Sequence, residues 1–198
     1  MKKFSHIPVM KDEVINGLNI KDNGIYVDCT IGGGGHSLEI VKNLKNGLLV
    51  GIDKDNFAIE YSKDVLKDYA NKIIFVKDDF KNYNEIISNL NLEKTDGILA
   101  DLGVSSFQID NSERGFSYIK PGKLDMRMDE SAKLTAYDVV NTYSEKELVN
   151  ILYNYGEESF AKKIAQKLIE IRKVKKIETT KELSDIIESV IPAKFKVH

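Results

Sequence analysis

The chain has 198 residues, 42% hydrophobic and 30% charged, with a formal net charge of −2; this suffices for one globular core with a small appended subdomain. No run approaches the roughly 18 apolar residues of a membrane span, and Met1-Lys-Lys-Phe leads into no signal-peptide core, so a cytoplasmic address away from membranes is expected. Cys29 is the only cysteine, which excludes an internal disulfide and a cysteine metal cluster and leaves it a small packing residue in a strand.

A helix is predicted around Val9–Leu18, followed by an apolar strand over Ile25–Thr30 that runs into the glycine loop of YVDCTIGGGGHS. A helix is expected over Ser37–Leu44, then a second strand over Leu48–Ile52. Asp53 follows it directly, 21 residues after Gly32. Strand, glycine loop, helix and a second strand ending in an acid are the parts of a nucleoside-binding unit. Glycines let the backbone approach a ligand, first-turn amides face an anion, and the carboxylate accepts from ribose hydroxyls.

The same layout serves NAD and S-adenosylmethionine, and the residues favour the second. Asp28, four positions before Gly32, would repel a pyrophosphate but could face a cationic amino acid group; the third glycine of the NAD pattern is replaced by Ser37. No Gly-Lys-Ser/Thr follows, which excludes a P-loop.

Further along, a helix is predicted over Asn56–Tyr69, a strand over Ile73–Val76, a helix over Tyr83–Leu90 and a strand over Gly97–Leu102. The alternation predicts a parallel sheet covered by helices, an α/β Rossmann-like architecture with ligands at the carboxyl ends of its strands. Asp78-Asp79-Phe80 follows the third strand, where an acid can reach an adenine amino group and an aromatic can cover its ring. Asp101, followed by Leu-Gly-Val-Ser-Ser, sits at the end of the fourth. Each acid could equally cap the next helix.

After Ser106 the pattern changes. The stretch through Ser131 is polar, irregular and too long for an ordinary connection, so it is either functional or disordered. Helices are then expected over Ala136–Asn141, Glu145–Tyr155, Ser159–Val174 and Lys181–Val190, with Thr180 as the start of the last. This suggests a cofactor core over 1–106, an active-site loop over 107–135 and a helical subdomain over 136–198. From Phe160 onward ten Lys/Arg stand against five Asp/Glu, a footprint for a polyanion or a solvated helix face.

The motifs HIPVM (6–10), DCTIGGGGHS (28–37), DGILADLGVSS (96–106), ERGFS (113–117), LDMRMD (124–129), YGEE (155–158) and TTKEL (179–183) occur in order along the chain. Together they resemble the MraW family of bacterial small-subunit ribosomal RNA methyltransferases. The resemblance implies transfer of a methyl group from S-adenosylmethionine to N4 of a cytidine in the decoding region, without a catalytic metal. It places Gly34, Gly35 and His36 at the cofactor's amino acid end, Asp53 on the ribose, Phe80 near the adenine, and Asp101 and Gln108 among the cofactor contacts. It also makes the helices after Ala136 an RNA-recognition subdomain.

Asp101 is the expected acceptor for the amine N–H, although other amino-methyltransferases carry two prolines where this chain has Leu102-Gly103. Phe107 or Phe116 could assist in extruding the base. Family members continue past His198, so the resemblance predicts a partial sheet in the order 3-2-1-4, whose fourth strand offers an edge to a second copy. Three readings stay open: the methyltransferase acting on small-subunit RNA or the assembled small subunit, a non-catalytic module binding S-adenosylmethionine or RNA, and an NAD enzyme.

Overall fold

The computed structural model describes residues 8–195; His6 and Ile7 of the first motif and the last three residues of KFKVH lie outside them. The chain divides into two compact units, one ending at Ser105 and the other beginning at Ser106. No described helix is long and apolar enough to cross a membrane.

In the first unit, α1 (Lys11–Leu18), β1 (Ile25–Asp28), α2 (Gly35–Asn43), β2 (Leu48–Asp53), α3 (Asn56–Val65), β3 (Ile73–Lys77), α4 (Tyr83–Asn89) and β4 (Gly97–Leu99) follow one another. All strand pairs are parallel, as the alternation predicts, and their order is β3-β2-β1-β4, as the resemblance implies. The two-residue period of the strands splits the core. Tyr26 and Leu49 pack with Ile40, Val41, Ile59 and Leu66, while Val27, Val50 and Ile52 pack with Ile86 and Ile87. Cys29 belongs to this second cluster, and burial pushes its thiol pKa up, as suits a packing residue rather than a nucleophile.

Several elements are shorter than expected, among them the fourth strand and the third helix. The fourth strand ends at Leu99 rather than Leu102, because the Asp101 amide turns away to donate to Thr30 Oγ1 at 2.7 Å. The third helix ends at Val65 rather than Tyr69; Leu66, fully buried, closes it, and a kinked 3-10 turn over Lys67–Lys72 follows. Among the described residues β4 pairs only with β1.

The second unit contains α5 (Ser106–Asp110), α6 (Ala136–Thr142), α7 (Glu145–Asn154), α8 (Ala161–Arg172) and α9 (Thr180–Val190). Capping boxes start three of these helices, at Thr135 with Asp138, Ser144 with Glu147, and Thr179 with Glu182. The last corrects the expectation of Thr180: a capping box needs its acid three residues beyond the hydroxyl, and only Thr179 stands at that distance from Glu182.

The long polar stretch is neither irregular throughout nor disordered. It contains α5 and a 3-10 turn at Ser112–Arg114, and its Leu124 sits in the helical core with Val140, Leu148, Ile164 and Leu168. Arg114 is buried and donates from Nη2 to the carbonyls of Arg127 at 3.0 Å and Met128 at 2.9 Å. Arg127 in turn pairs with Asp125 at 2.6 Å and donates to the carbonyls of Glu130 and Ala132, both at 2.8 Å. Gly115 has φ +72°, and a Cβ there would stand 2.4 Å from the Lys123 carbonyl, so only glycine fits. The backbone then joins the start of α9, with Leu124 N donating to Glu178 O at 2.9 Å and Thr180 N to Gly122 O at 3.0 Å. ERGFS and LDMRMD are thus two halves of one clasp.

Candidate functional site

The glycine loop leaves β1 at Asp28 and enters α2 at Gly35. Gly34, the residue before α2, has φ +75° and makes no side-chain cap, so the first-turn amides are left without a partner from the helix or its cap. A Cβ on Gly34 would meet Leu66 and Ser62 at 3.4 Å, and one on Gly35 would meet Pro8 at 2.5 Å. Gly34 is therefore required by its left-handed backbone, its packing contacts being ordinary, and Gly35 by close packing against Pro8.

Asp53, at the end of β2, holds the loop from the neighbouring strand. Its Oδ2 accepts from Gly32 N at 3.0 Å and its Oδ1 from Asp55 N at 2.9 Å. Burial raises its pKa, against the pull of these two amides. The carboxylate is partly exposed, and each oxygen keeps a lone pair for a further donor.

Asp28 does something other than face a ligand. It is 1% exposed, accepts from Ser37 Oγ at 2.7 Å and Thr30 N at 3.1 Å, and so ties β1 to α2 beneath the loop. Ser37 replaces the third glycine because its hydroxyl serves this buried acid. Burial raises the Asp28 pKa, with the two hydrogen bonds opposing. The native state therefore holds this proton more tightly than the unfolded chain, and stability falls as pH rises from the ordinary 3.8 through the raised native value. Asp28→Asn should remove that part of the pH dependence while keeping both contacts, since Asn can donate to the Ser37 hydroxyl. Urea unfolding of both proteins between about pH 4 and 7 measures it; parallel curves would show that Asp28 carries no such cost.

His36 lies in the first turn of α2, 7% exposed, and neither of its ring nitrogens has a hydrogen-bond partner among the described residues. Its Nε2 stands 3.9 Å from Asp101 Oδ2, beyond a hydrogen bond but close enough for a small rotation to close. The Asp101 backbone is fixed by Thr30 while its carboxylate is half exposed. Thr30 was not singled out from the sequence, and its hydroxyl in DCTIGGGG gave no local sign that it would meet a residue 71 positions away.

At the end of β3 the acids are turn acids. Asp78 accepts from Asp79 N and Asn82 Nδ2 at 2.7 and 2.8 Å, and Asp79 accepts from Lys81 N at 3.0 Å and faces Lys54 at 3.8 Å. Asp79 is engaged on both oxygens, whereas Asp78 takes both bonds on Oδ1 and keeps Oδ2 for a further donor. Phe80, which begins the following 3-10 turn, is exposed, and Asp78 N donates to Asp53 O at 3.1 Å, so its turn starts beside the glycine-loop anchor. The structure thus brings Gly34, Gly35, His36, Asp53 and Asp101 together at the carboxyl edge of the sheet, with Phe80 on the next strand's end. Gln108 belongs to the second unit, buried in α5.

These residues offer helix-start amides, an orphaned imidazole, a ribose-type carboxylate and an exposed aromatic, a donor set that fits an adenosyl ligand with an amino acid tail. A protein named ribosomal RNA small subunit methyltransferase H from Clostridium botulinum (strain Kyoto / Type A2) is 54% identical over 195 residues, 98% of this chain and 63% of that protein. Proteins of the same name from Mycoplasmopsis synoviae (strain 53) and Finegoldia magna are 54% and 48% identical, over 98% and 99% of this chain and 63% of each relative. The chain therefore spans a little under two thirds of the length of these relatives. A sequence model of the MraW methylase family matches residues 3–198, glycine loop and clasp alike, and the chain belongs to that family.

Proposed function

We propose that the first unit binds S-adenosylmethionine and that the protein methylates N4 of a cytidine in the decoding region of small-subunit ribosomal RNA. The observation that carries this reading is the glycine loop pinned to Asp53 with His36 buried and unpartnered beside Asp101. The names of the relatives support the RNA class of substrate. The cofactor supplies a methyl group on a cationic sulfur.

Gly34 and Gly35 would present the α2 amides to the cofactor carboxylate, the His36 ring would gain there the partner it lacks, Asp53 would hold the ribose hydroxyls, and Phe80 would cover the adenine. Gln108, from the second unit, would complete the contacts. A cytosine N4 amine is a poor nucleophile because its lone pair is delocalised into the ring. Asp101, fixed through its backbone and free at its carboxylate, would orient the amine and accept its N–H. The substrate would be the RNA itself or the small subunit, in the cytoplasm. The outer edge of β4 is where a second copy would pair.

Calorimetric titration with S-adenosylmethionine, followed by labelled-methyl transfer to undermethylated small subunits, tests the reading. Saturable binding and transfer are expected, with Asp101→Ala lowering transfer about a hundredfold. Binding without transfer would support a cofactor-binding module instead, in keeping with the 63% of the relatives that the chain spans. Binding of NAD and not S-adenosylmethionine would sink both.

A further inference from the structure

The basic C-terminal segment is less available than its composition suggests. Lys167 pairs with Glu170 at 3.0 Å, Lys175 with Glu182 at 2.6 Å, and Lys181 with Asp185. Arg172 donates to the Val140 carbonyl at 2.7 Å, closing the end of α6, and Lys176 reaches the Asn141 carbonyl at 3.5 Å. These five cations are engaged by acids and carbonyls of the helical unit itself.

The exception is the end of the unit where α7 turns into α8. Lys162, Lys163 and Lys194 are exposed there and have no carboxylate within ion-pair distance among the described residues. Two of them lie over aromatic rings, Lys163 at 5.9 Å from Phe160 and Lys194 at 4.8 Å from Phe195, and these two rings are 5.5 Å apart. Tyr155, closing α7, is 83% exposed, and Phe195 is 55% exposed. The first turn of α8 contains no acid and no side-chain cap, so Lys162 and Lys163 sit against the positive end of the helix, an arrangement folding alone does not favour. Glu157 and Glu158 of the connecting turn oppose this charge, although Glu158 is engaged with the Phe160 amide at 2.7 Å. Exposed rings interleaved with unmatched lysines suit a ligand with flat aromatic faces on an anionic backbone.

We infer that this end of the helical unit, built on Tyr155, Phe195 and the lysines at 162, 163 and 194, binds single-stranded RNA by base stacking. The inference rests on the reading that the protein acts on RNA, and it locates the contact away from the ion-paired α8–α9 face. Stacking on the rings gives most of the affinity, and the lysines hold phosphates.

The test is fluorescence anisotropy of a labelled single-stranded oligoribonucleotide of about a dozen nucleotides, titrated with the 198-residue chain over a range of KCl, beside an RNA duplex of matching composition. Single strands should bind better than the duplex. Tyr155→Ala should weaken binding about tenfold while Tyr155→Phe preserves it. Each of Lys162→Ala and Lys163→Ala should reduce the slope of log affinity against log salt by about 0.7. Lys175→Ala and Lys181→Ala should change neither. Absence of RNA binding, preference for the duplex, insensitivity to Tyr155→Ala, or equal losses at Lys175 and Lys181 would each overturn the inference, as would self-association that Tyr155→Ala abolishes without affecting RNA. Calorimetry with S-adenosylmethionine on the same preparation separates the two readings: cofactor binding with any of these failures overturns the RNA surface alone, and RNA binding without cofactor binding overturns the methyltransferase reading.

Discussion

Asp53→Ala is expected to abolish measurable S-adenosylmethionine binding, and Asp53→Asn to weaken it about tenfold. The carboxylate has two tasks. It holds the Gly32 amide at 3.0 Å and so shapes the loop, and its remaining lone pairs are the acceptors for a ribose diol. Hydrogen bonds to a charged acceptor are worth about 1.5–3 kcal/mol each, so loss of two gives at least a hundredfold. Asn keeps one acceptor oxygen and the volume of the side chain, hence the smaller loss. Because burial raises the Asp53 pKa, the acceptor form is lost on acidification at a higher pH than for a free carboxyl, and wild-type binding should weaken there first. Calorimetry across pH reads all three. Affinity unchanged in Asp53→Ala would remove Asp53 from the site and with it the main reason for placing a nucleoside there.

Arg114→Leu is expected to destabilise the helical unit by about 3 kcal/mol, since the change strands the partly buried carbonyls of Arg127 and Met128 together and removes the buried guanidinium that holds them. Arg114→Lys should rescue only in part: both bonds come from Nη2 at the far end of the guanidinium, and the shorter, more flexible lysine stem must carry its ammonium to the same point. The loss should appear in urea unfolding and, locally, in faster hydrogen exchange of the Leu124 and Thr180 amides, whose partners are Glu178 O and Gly122 O. Exchange at wild-type rates in Arg114→Leu would show that the clasp closes without its arginine. The prediction assigns a folding role to a motif that composition alone reads as a polar loop.

That motif shows where sequence reasoning is weak. ERGFS and LDMRMD are separated by residues with no periodicity, and nothing local says that Arg114 reaches Arg127 and Met128 or that Gly115 lies against Lys123. The helices after Ala136 were legible because their apolar stripes and capping acids are local, down to an error of one residue at Thr179. The basic segment was misleading for the converse reason: charge can be counted from sequence, but whether Lys175 meets Glu182 depends on how the chain folds back between them.

For the first unit, the amino-acid order was enough for four parallel strands, the glycine loop and Asp53 at its distance, because strand period, helix period and glycine conformation are properties of neighbouring residues; the order of the strands came from the family motifs. Only the folded chain decided which acids remain available. It buried Asp28 under Ser37, made Asp79 a turn cap, engaged one oxygen of Asp78, anchored the Asp101 amide on the Thr30 hydroxyl, and set the His36 ring 3.9 Å from Asp101. The physical reason is that an acid's role depends on the groups that reach it. The Thr30 hydroxyl accepts from the Asp101 amide across the chain and leaves its carboxylate available, while Asp28, Asp79 and one oxygen of Asp78 are claimed by donors whose approach depends on how each strand end turns.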